Sequence, residues 1–293
     1  MNVNRHPQLN MLALAARIQP QAGELSRAQS HLMTVRRRLV ASFDLAKFVR
    51  IGSHARNTAV RQFSDIDVLA VLRRNEAKWG GNIVNSSTFL RRIRDDLEDR
   101  FSHTEMRGDQ QAVVAEFGGG AHSLDVVPGI FHRWDSGKPV YLIPDGQDSW
   151  LESSPEAHNS YFANAAEKSG GKLRKVIQLL KWWKHSRAQS IPILSFHLDL
   201  LMAWGEVCVG VKSYGQCLLD AFRLLADREC RGLRDPVGVV GVIYAAKTTA
   251  QWEAMNTAVA SSLAHARKAI VAESWRDFPE ANRQWSMVFN YQY

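Results

Sequence analysis

Two aspartates separated by one residue open an apolar run in the first third of the chain. Asp65 and Asp67 belong to the segment Ser64–Leu72 (SDIDVLAVL), whose second half is wholly apolar. Residues two apart on a strand point to the same face, so this spacing predicts paired carboxylates beside one site. A third carboxylate, Asp125, lies inside a later apolar run, where an acid is costly unless a cation or another partner compensates it.

Carboxylates in this number and spacing indicate divalent-metal chemistry. Mg²⁺ binds one or two carboxylates in such sites, while substrate phosphates and water complete its octahedron. Asp65, Asp67 and Asp125 are therefore predicted to hold two Mg²⁺ ions, with Mn²⁺ as an alternative. One ion would activate an attacking hydroxyl and the other would stabilise a leaving pyrophosphate. A lone Asp-x-Asp is more often a solvated edge or turn, so the prediction depends on the motifs around it.

The pair Gly52-Ser53 supplies a candidate anion site about a dozen residues before the aspartates. A strand that turns at Gly52 into a helix leaves free backbone N–H groups, and these would face a triphosphate together with the Ser53 hydroxyl. Gly-Ser by itself is usually a turn. The order Gly-Ser, Asp-x-Asp and then a third Asp in an apolar strand is far more specific, and it predicts metal-dependent nucleotidyl transfer.

These residues need a mixed region of helices and strands to position them. Residues 1–23 contain Pro7 and Pro20 and show no sustained pattern, so we expect a loosely packed N-terminal arm. Residues 24–165 alternate between helix and strand periodicity, and residues 166–293 are almost wholly helical in pattern. The predicted strands are Leu45–Ile51, Ser64–Leu72, Ala112–Phe117 and His122–Val127, the last two joined by a hairpin turn at Gly118–Gly120. The main predicted helices of the second half are Leu173–Arg187, Ser195–Val211, Tyr214–Ala226 and Ala250–Glu273.

Composition narrows the class of protein further. The 293 residues are 45% hydrophobic and 23% charged, which is ordinary for a globular chain. No apolar run approaches the ~18–20 residues of a membrane span. The three cysteines form no CxxC pair, which favours a reducing cytoplasm as the compartment. We expect the cysteine side chains to be small buried hydrophobic groups. The histidines, His103, His122 and His132 included, lack metal-ligand spacing, so no zinc site is expected.

The net charge of +8 is concentrated in one segment. Lys168–Arg187 holds seven Lys or Arg residues and no Asp or Glu, so a broad nucleic-acid surface is not predicted. Lys181 falls among apolar residues, and its ammonium is predicted to contact a triphosphate. The other cations of the segment, Lys184 among them, are expected on a solvated helix face. Trp182-Trp183 is expected to give one core residue and one interface anchor rather than a base-stacking platform.

Taken together, these segments resemble a known family. GSHARNTAVRQFSDIDVLAVL followed by SLDVVPGI is similar to the nucleotidyltransferase core of the DNA polymerase β superfamily. The resemblance is closer to the bacterial cyclic-oligonucleotide synthases (CD-NTases), relatives of cyclic GMP-AMP synthase and oligoadenylate synthase, and continues through LRKVIQLLKWWK and ILSFHLDLL. It implies an α/β (α+β) fold: a polymerase β-like core with a mixed sheet, packed on an oligoadenylate synthase-like helical C-terminal domain. The active site would lie in the cleft between the domains.

The resemblance also implies residue roles and a reaction. The metal-binding and catalytic residues would be Asp65, Asp67 and Asp125, and the nucleotide-binding residues Gly52, Ser53, Lys181, Ser195 and Phe196. Phe196 would stack on a base without hydrogen-bonding to it. The expected reaction makes a cyclic di- or trinucleotide second messenger from ATP or other NTPs, releasing pyrophosphate, in antiphage (CBASS) signalling. The product would act on a downstream effector.

Other functions remain open at this point. The chain could transfer a nucleotide to another acceptor (a tRNA, a protein or a small molecule), make linear oligoadenylate, or be a silent nucleotide-binding module. No ligand-spaced His/Cys cluster is present, so a built-in DNA sensor is not expected, while an RNA or protein activator is left open. We expect a cytoplasmic monomer without membrane contact.

Overall fold

The computed structural model describes residues 3–102, 104–117 and 123–293, which divide into two compact units. The mixed unit is Pro20–Ser160, and the helical unit comprises the chain up to Gln19 together with Tyr161–Tyr293. These divisions differ from the predicted domain boundaries at 23/24 and 165/166, which stay predictions. Each unit is described by itself.

The elements follow the predicted order of a mixed region and then a helical one. The α-helices are α1 Pro7–Arg17, α2 Ala22–Ser42, α3 Gly52–Arg56, α4 Ser86–Arg100, α5 Pro155–Lys168, α6 Lys172–His185, α7 Ser195–Trp204, α8 Tyr214–Asp227, α9 Thr249–Ser274 and α10 Phe278–Val288. The strands are β1 Leu45–Arg50, β2 Ile66–Leu72, β3 Lys78–Trp79, β4 Asn82–Ile83, β5 Glu105–Asp109, β6 Ala112–Glu116, β7 Leu124–Asp135, β8 Lys138–Pro144, β9 Trp150–Ser153, β10 Leu233–Arg234 and β11 Val242–Ile243.

A seven-stranded mixed sheet forms the centre of the mixed unit. Its order is β1-β2-β7-β6-β5, and β8 pairs with the second half of β7 while β9 pairs with β8. Strands β2 and β7 are parallel, and the other neighbours are antiparallel. The mixed sheet of the predicted fold class is thus confirmed. The predicted turn at Gly118–Gly120 and the first residue of the strand predicted from His122 lie outside the described residues.

Helices α2 and α4 supply one side of the core of the mixed unit. Apolar residues recur at three- and four-residue spacing along α2, and those at Ala28, Leu32, Val35 and Leu39 are buried. Leu25 continues this spacing toward the start of the helix but is exposed. Helix α4 contributes the buried residues Phe89, Ile93 and Leu97 to this core. The sheet contributes, among others, Val68, Val113 and Val126. This packing holds β2 and β7 in place, the two strands that carry the candidate aspartates.

In the helical unit, α6 places one of its paired tryptophans in the core. Trp183 is fully buried and its Nε1 donates to Ser262 Oγ at 2.7 Å, whereas Trp182 is half-buried. Helix α7 is shorter than the predicted Ser195–Val211. It ends at Trp204, because Gly205 follows and Glu206 takes a left-handed φ of 47° that no helix continues through.

The expectation of a loosely packed N-terminal arm was wrong. Residues Pro7–Arg17 form α1, and Met11, Leu14, Ala15 and Ile18 are buried within the helical unit. These apolar residues recur at three- and four-residue spacing, and a proline is tolerated in the first turn of a helix. Asn10 adds a buried hydrogen bond to Asn282 Oδ1 at 2.8 Å. Among the helices of the described residues, none is long and apolar enough to cross a membrane.

Candidate functional site

The turn between β1 and β2 brings a glycine backbone against an aspartate. Gly52 follows β1, begins α3 and has a left-handed φ of +66°. A Cβ at this position would lie 1.9 Å from Asp67 Oδ2, so only glycine fits beside that carboxylate. The Ile51 amide also donates to the Asp67 carbonyl at 2.9 Å. Ser53 follows within α3, so the Gly-Ser pair is held next to the Asp-x-Asp motif.

The three predicted aspartates converge on adjacent strands. Asp67 on β2 and Asp125 on β7 are register partners in the parallel pair. Neighbouring strands lie about 4.8 Å apart and register partners point to the same face, so these two carboxylates share one face. Asp65 is exposed and comes one residue before β2, at the two-residue spacing that returns it to the side of Asp67.

Like charges raise the electrostatic cost of this arrangement. Burial raises the pKa of Asp125 to about 6, and the negative charge of Asp65 contributes to the rise. Ser123 Oγ donates to Asp125 Oδ1 at 3.3 Å, which favours the charged form. A bound cation would relieve the repulsion between Asp65 and Asp125 more completely than this hydroxyl does.

The donor set fits a divalent cation that binds together with substrate. Within residues 3–102, 104–117 and 123–293, no three His, Cys, Asp or Glu side chains form a complete metal site. Mg²⁺ does not require one, because it takes one or two carboxylates and completes its octahedron with phosphate oxygens and water. One exposed and two partly buried carboxylates beside a glycine backbone meet that requirement.

The segment between the Gly-Ser pair and Asp65 is held in place by hydrogen bonds and an ion pair that the sequence did not predict. Ser64 Oγ accepts from the Val60 amide at 2.9 Å. Arg61 pairs with the mostly buried Glu24 of α2 at 2.8 Å. The Ile66 amide donates to the Ser123 carbonyl at 3.0 Å. The available sequence signal was Ser123 itself, a hydroxyl two residues before Asp125 and so on the same strand face.

The helical unit contains a buried ion pair at the lysine predicted to contact a triphosphate. Lys181 Nζ lies 2.8 Å from Asp199 Oδ1, and the two side chains are 3% and 0% exposed. Lys181 can therefore lie among apolar residues because Asp199 compensates its charge inside this unit. Such a pair is costly to break, because removing one partner leaves the other charge unpaired in the core. A phosphate contact by Lys181 stays a prediction.

Lys184 contacts the predicted nucleotide-binding residue Ser195. Its Nζ donates to Ser195 Oγ at 3.3 Å, at the first residue of α7, where no side chain caps the helix. Burial lowers the pKa of Lys184, and the Lys181 charge lowers it further. The expectation that Lys184 lies on a solvated face was wrong. It is three residues from Lys181, so both share a face of α6. Phe196 follows Ser195 and is partly exposed.

The three cysteines are buried, as the sequence suggested, and one of the histidines weighed for zinc is among the described residues. Cys208, Cys217 and Cys230 are buried free thiols. His132 is half-buried, with Nε2 3.2 Å from Glu152 Oε1, while His103 and His122 lie outside the described residues.

Comparisons with known proteins point to one family. A family model described as the Second Messenger Oligonucleotide or Dinucleotide Synthetase domain (SMODS) matches residues 6–165. The chain is 27% identical over 203 residues to a protein of Escherichia coli (strain MS 115-1) named Cyclic AMP-AMP-AMP synthase, covering 64% of this chain. The matched region spans 59% of that relative's length.

Solved structures show the same fold at low identity. The structure of E. coli MS115-1 CdnC with ATP is 19% identical and superposes with a TM-score of 0.76, covering 97% of each chain. The CdnC:HORMA-deltaN complex of the same organism gives a TM-score of 0.75 at 19% identity, covering 97% of this chain and 96% of the other. The fold class predicted from the sequence is confirmed by these likenesses.

Proposed function

Because the chain belongs to the Second Messenger Oligonucleotide or Dinucleotide Synthetase family, we propose that it joins nucleoside triphosphates into a cyclic di- or trinucleotide. The observation that carries the proposal is the carboxylate group at β2 and β7, with the Gly52 backbone against Asp67. In each step a ribose hydroxyl oxygen bonds to an α-phosphorus, the bond from that phosphorus to pyrophosphate breaks, and pyrophosphate leaves. The last step of the same kind closes the ring, which is the second step for a dinucleotide and the third for a trinucleotide.

The chain's own residues have distinct tasks in this reaction. Asp65, Asp67 and Asp125 would hold two Mg²⁺ ions, and the Asp125 carboxylate would also accept the proton of the attacking hydroxyl. Ser123 keeps the Asp125 carboxyl oriented through its hydrogen bond. When bound, the metal supplies Lewis-acid polarisation of the phosphate and stabilises the leaving group's charge. Gly52 and Ser53 receive the donor phosphates through backbone N–H groups and a hydroxyl.

Residues of the helical unit are proposed to bind the nucleotide. Lys184 and Ser195 offer an ammonium and a hydroxyl within 3.3 Å of each other, which suits a phosphate oxygen. Lys181 and Asp199 form the buried pair that neighbours Lys184 and acts on its charge. Phe196 stacks on a base, since an aromatic ring accepts any base face and donates no hydrogen bond to it.

The names of similar proteins support the substrate and the partner that we propose for this chain. The E. coli relative is named Cyclic AMP-AMP-AMP synthase and a similar structure contains ATP, so ATP is the first substrate to test. A similar protein is solved in complex with HORMA-deltaN, which supports a protein partner for this chain. We place the reaction in the cytoplasm, with the product acting on a downstream effector in antiphage (CBASS) signalling.

The test is product formation from labelled nucleotides. Purified protein is incubated with Mg²⁺ or Mn²⁺ and each α-³²P-labelled NTP, singly and in pairs, and the products are treated with phosphatase. We expect phosphatase-resistant label without any added acceptor, lost in Asp67→Asn and kept in Asp44→Asn, whose carboxylate is 70% exposed. A phosphatase-sensitive ladder would indicate linear products, and label that requires an acceptor would overturn the proposal. Absence of both product and calorimetrically detected ATP binding would also overturn it.

A further inference from the structure

The turn between α9 and α10 carries an apolar groove on the surface of the helical unit. Its volume is about 450 Å³, and its lining residues are Arg267, Lys268, Val271, Ala272, Trp275, Asp277 and Glu280. Val271 is 57% exposed and Trp275 is 81% exposed. Arg267 and Val271 are four residues apart on one face of α9, and Trp275 follows at the same spacing as the residue that caps the C-terminus of this helix.

The acidic and the basic side chains at the rim of the groove differ in the partners that they already have. Glu280 is paired with Arg283 at 2.6 Å and also accepts from Gln284. The Asp277 carboxylate caps α10 by accepting from the Glu280 amide at 3.1 Å. The side chains of Arg267 and Lys268 make no hydrogen bond or ion pair with any residue that the structure describes, although the Lys268 charge acts on Glu280 from a distance. At the rim, the cationic side chains of Arg267 and Lys268 are therefore available to bind a ligand, whereas the carboxylates of Asp277 and Glu280 already accept hydrogen bonds.

The chemistry of this groove suits a protein segment better than a small ligand. Small-molecule sites combine a concave apolar wall with a few converging polar groups that fix the ligand's orientation. Here an exposed tryptophan and valine line the groove together with two long cationic side chains. Trp and Arg are among the residues in which protein interfaces concentrate their binding free energy. Residues Arg267 and Lys268 select for carboxylates by charge complementarity.

We propose that the α9–α10 groove docks an acidic amphipathic segment of a partner protein. An apolar side chain of that segment would cover Val271 and Trp275, and its carboxylates would pair with Arg267 and Lys268. The surface is independent of the proposed reaction, because none of these residues belongs to the carboxylate group or to the nucleotide contacts. Binding can therefore be measured whether or not the chain makes a cyclic product.

The probe is a fluorescein-labelled synthetic peptide that repeats Leu and Glu at helical spacing, titrated with the full chain and followed by anisotropy. Two matched peptides replace every Glu by Gln or every Leu by Ser. We expect binding in the micromolar range at low salt, with at least tenfold weaker binding of both altered peptides. The double variant Arg267→Glu/Lys268→Glu and the variant Trp275→Ala should each weaken binding at least tenfold.

Two controls match the charge and the aromatic change elsewhere on the surface. Arg36→Glu/Arg37→Glu reverses two adjacent exposed arginines of α2, and Trp79→Ala removes a tryptophan that is as exposed as Trp275. Both should bind the peptide like the unaltered chain, and thermal melts of all variants check that they fold. No binding up to about 1 mM peptide would overturn the proposal. So would equal losses in groove and control variants, or equal binding of the Gln peptide.

Discussion

Neutralising Asp125 should stabilise the metal-free protein while abolishing its activity. In Asp125→Asn the side chain keeps its shape and an oxygen that accepts from Ser123, but it loses the charge that opposes Asp65. The rise in the Asp125 pKa from 3.8 to about 6 corresponds to about 3 kcal/mol at neutral pH. Solvent screening of this partly buried carboxyl reduces the expected gain to about 1–2 kcal/mol.

The sign of the effect fixes its pH dependence. A raised folded-state pKa of an acid destabilises the folded protein above the unfolded pKa of 3.8, and the penalty reaches its full size above pH 6. The gain in Asp125→Asn should therefore be complete at pH 7.5, about half as large at pH 5 and about a fifth as large at pH 4.

The assay is thermal unfolding in EDTA over this pH series, where each kcal/mol raises the midpoint by roughly 2–4 °C. Asp44→Asn is the matched control because it removes an exposed carboxylate of the same unit, and it should change stability by less than about 0.5 kcal/mol. Added Mg²⁺ and ATP should stabilise the unaltered protein more than Asp125→Asn, since ligand binding favours the folded state. A variant no more stable than the unaltered protein at pH 7.5, or a gain that grows toward pH 4, would refute the reasoning.

Three further predictions concern other contacts of the site. Gly52→Ala should cost more than about 2 kcal/mol of stability and abolish turnover. Gly80→Ala should cost only the ~1–2 kcal/mol of left-handed strain, because no described residue other than its chain neighbours has an atom within 4 Å of the added Cβ. Urea melts compare the stabilities of the two variants. Lys181→Met should cost about 3–5 kcal/mol in such melts, and Lys181→Met/Asp199→Leu should recover most of it, since the double variant leaves no buried charge unpaired. Lys184→Ala should weaken ATP binding at least tenfold by calorimetry with little loss of melting temperature, and unchanged affinity would remove it from the phosphate contacts.

Much of the mixed unit was predictable because its signals are local. The apolar spacing on α2 and α4 identifies the helix faces that reach the core, and the two-residue spacing of Asp65 and Asp67 assigns both to one strand face. The sequence does not predict helix α1, because Pro7 and Pro20 are typical helix breakers, although proline fits the first turn of a helix.

Long-range pairing decided what local spacing could not. The register that places Asp67 opposite Asp125 depends on strands 58 positions apart in sequence, and the contact of Gly52 with Asp67 depends on how the turn folds back onto β2. Long-range contacts also decided the surroundings of the two lysines of α6. Lys181 meets an aspartate from α7, and Lys184 meets the first residue of that helix.

The sequence by itself therefore determined the kinds of groups in the candidate site and the faces that carry them. Helix and strand periodicity are set by backbone geometry, so spacing along the chain reports them directly. The tertiary structure alone decided which charges are compensated, which backbone approaches which carboxylate, and which lysine contacts Ser195. Those outcomes depend on distances and burial between residues far apart in the chain, and the free energy of a charge changes with both.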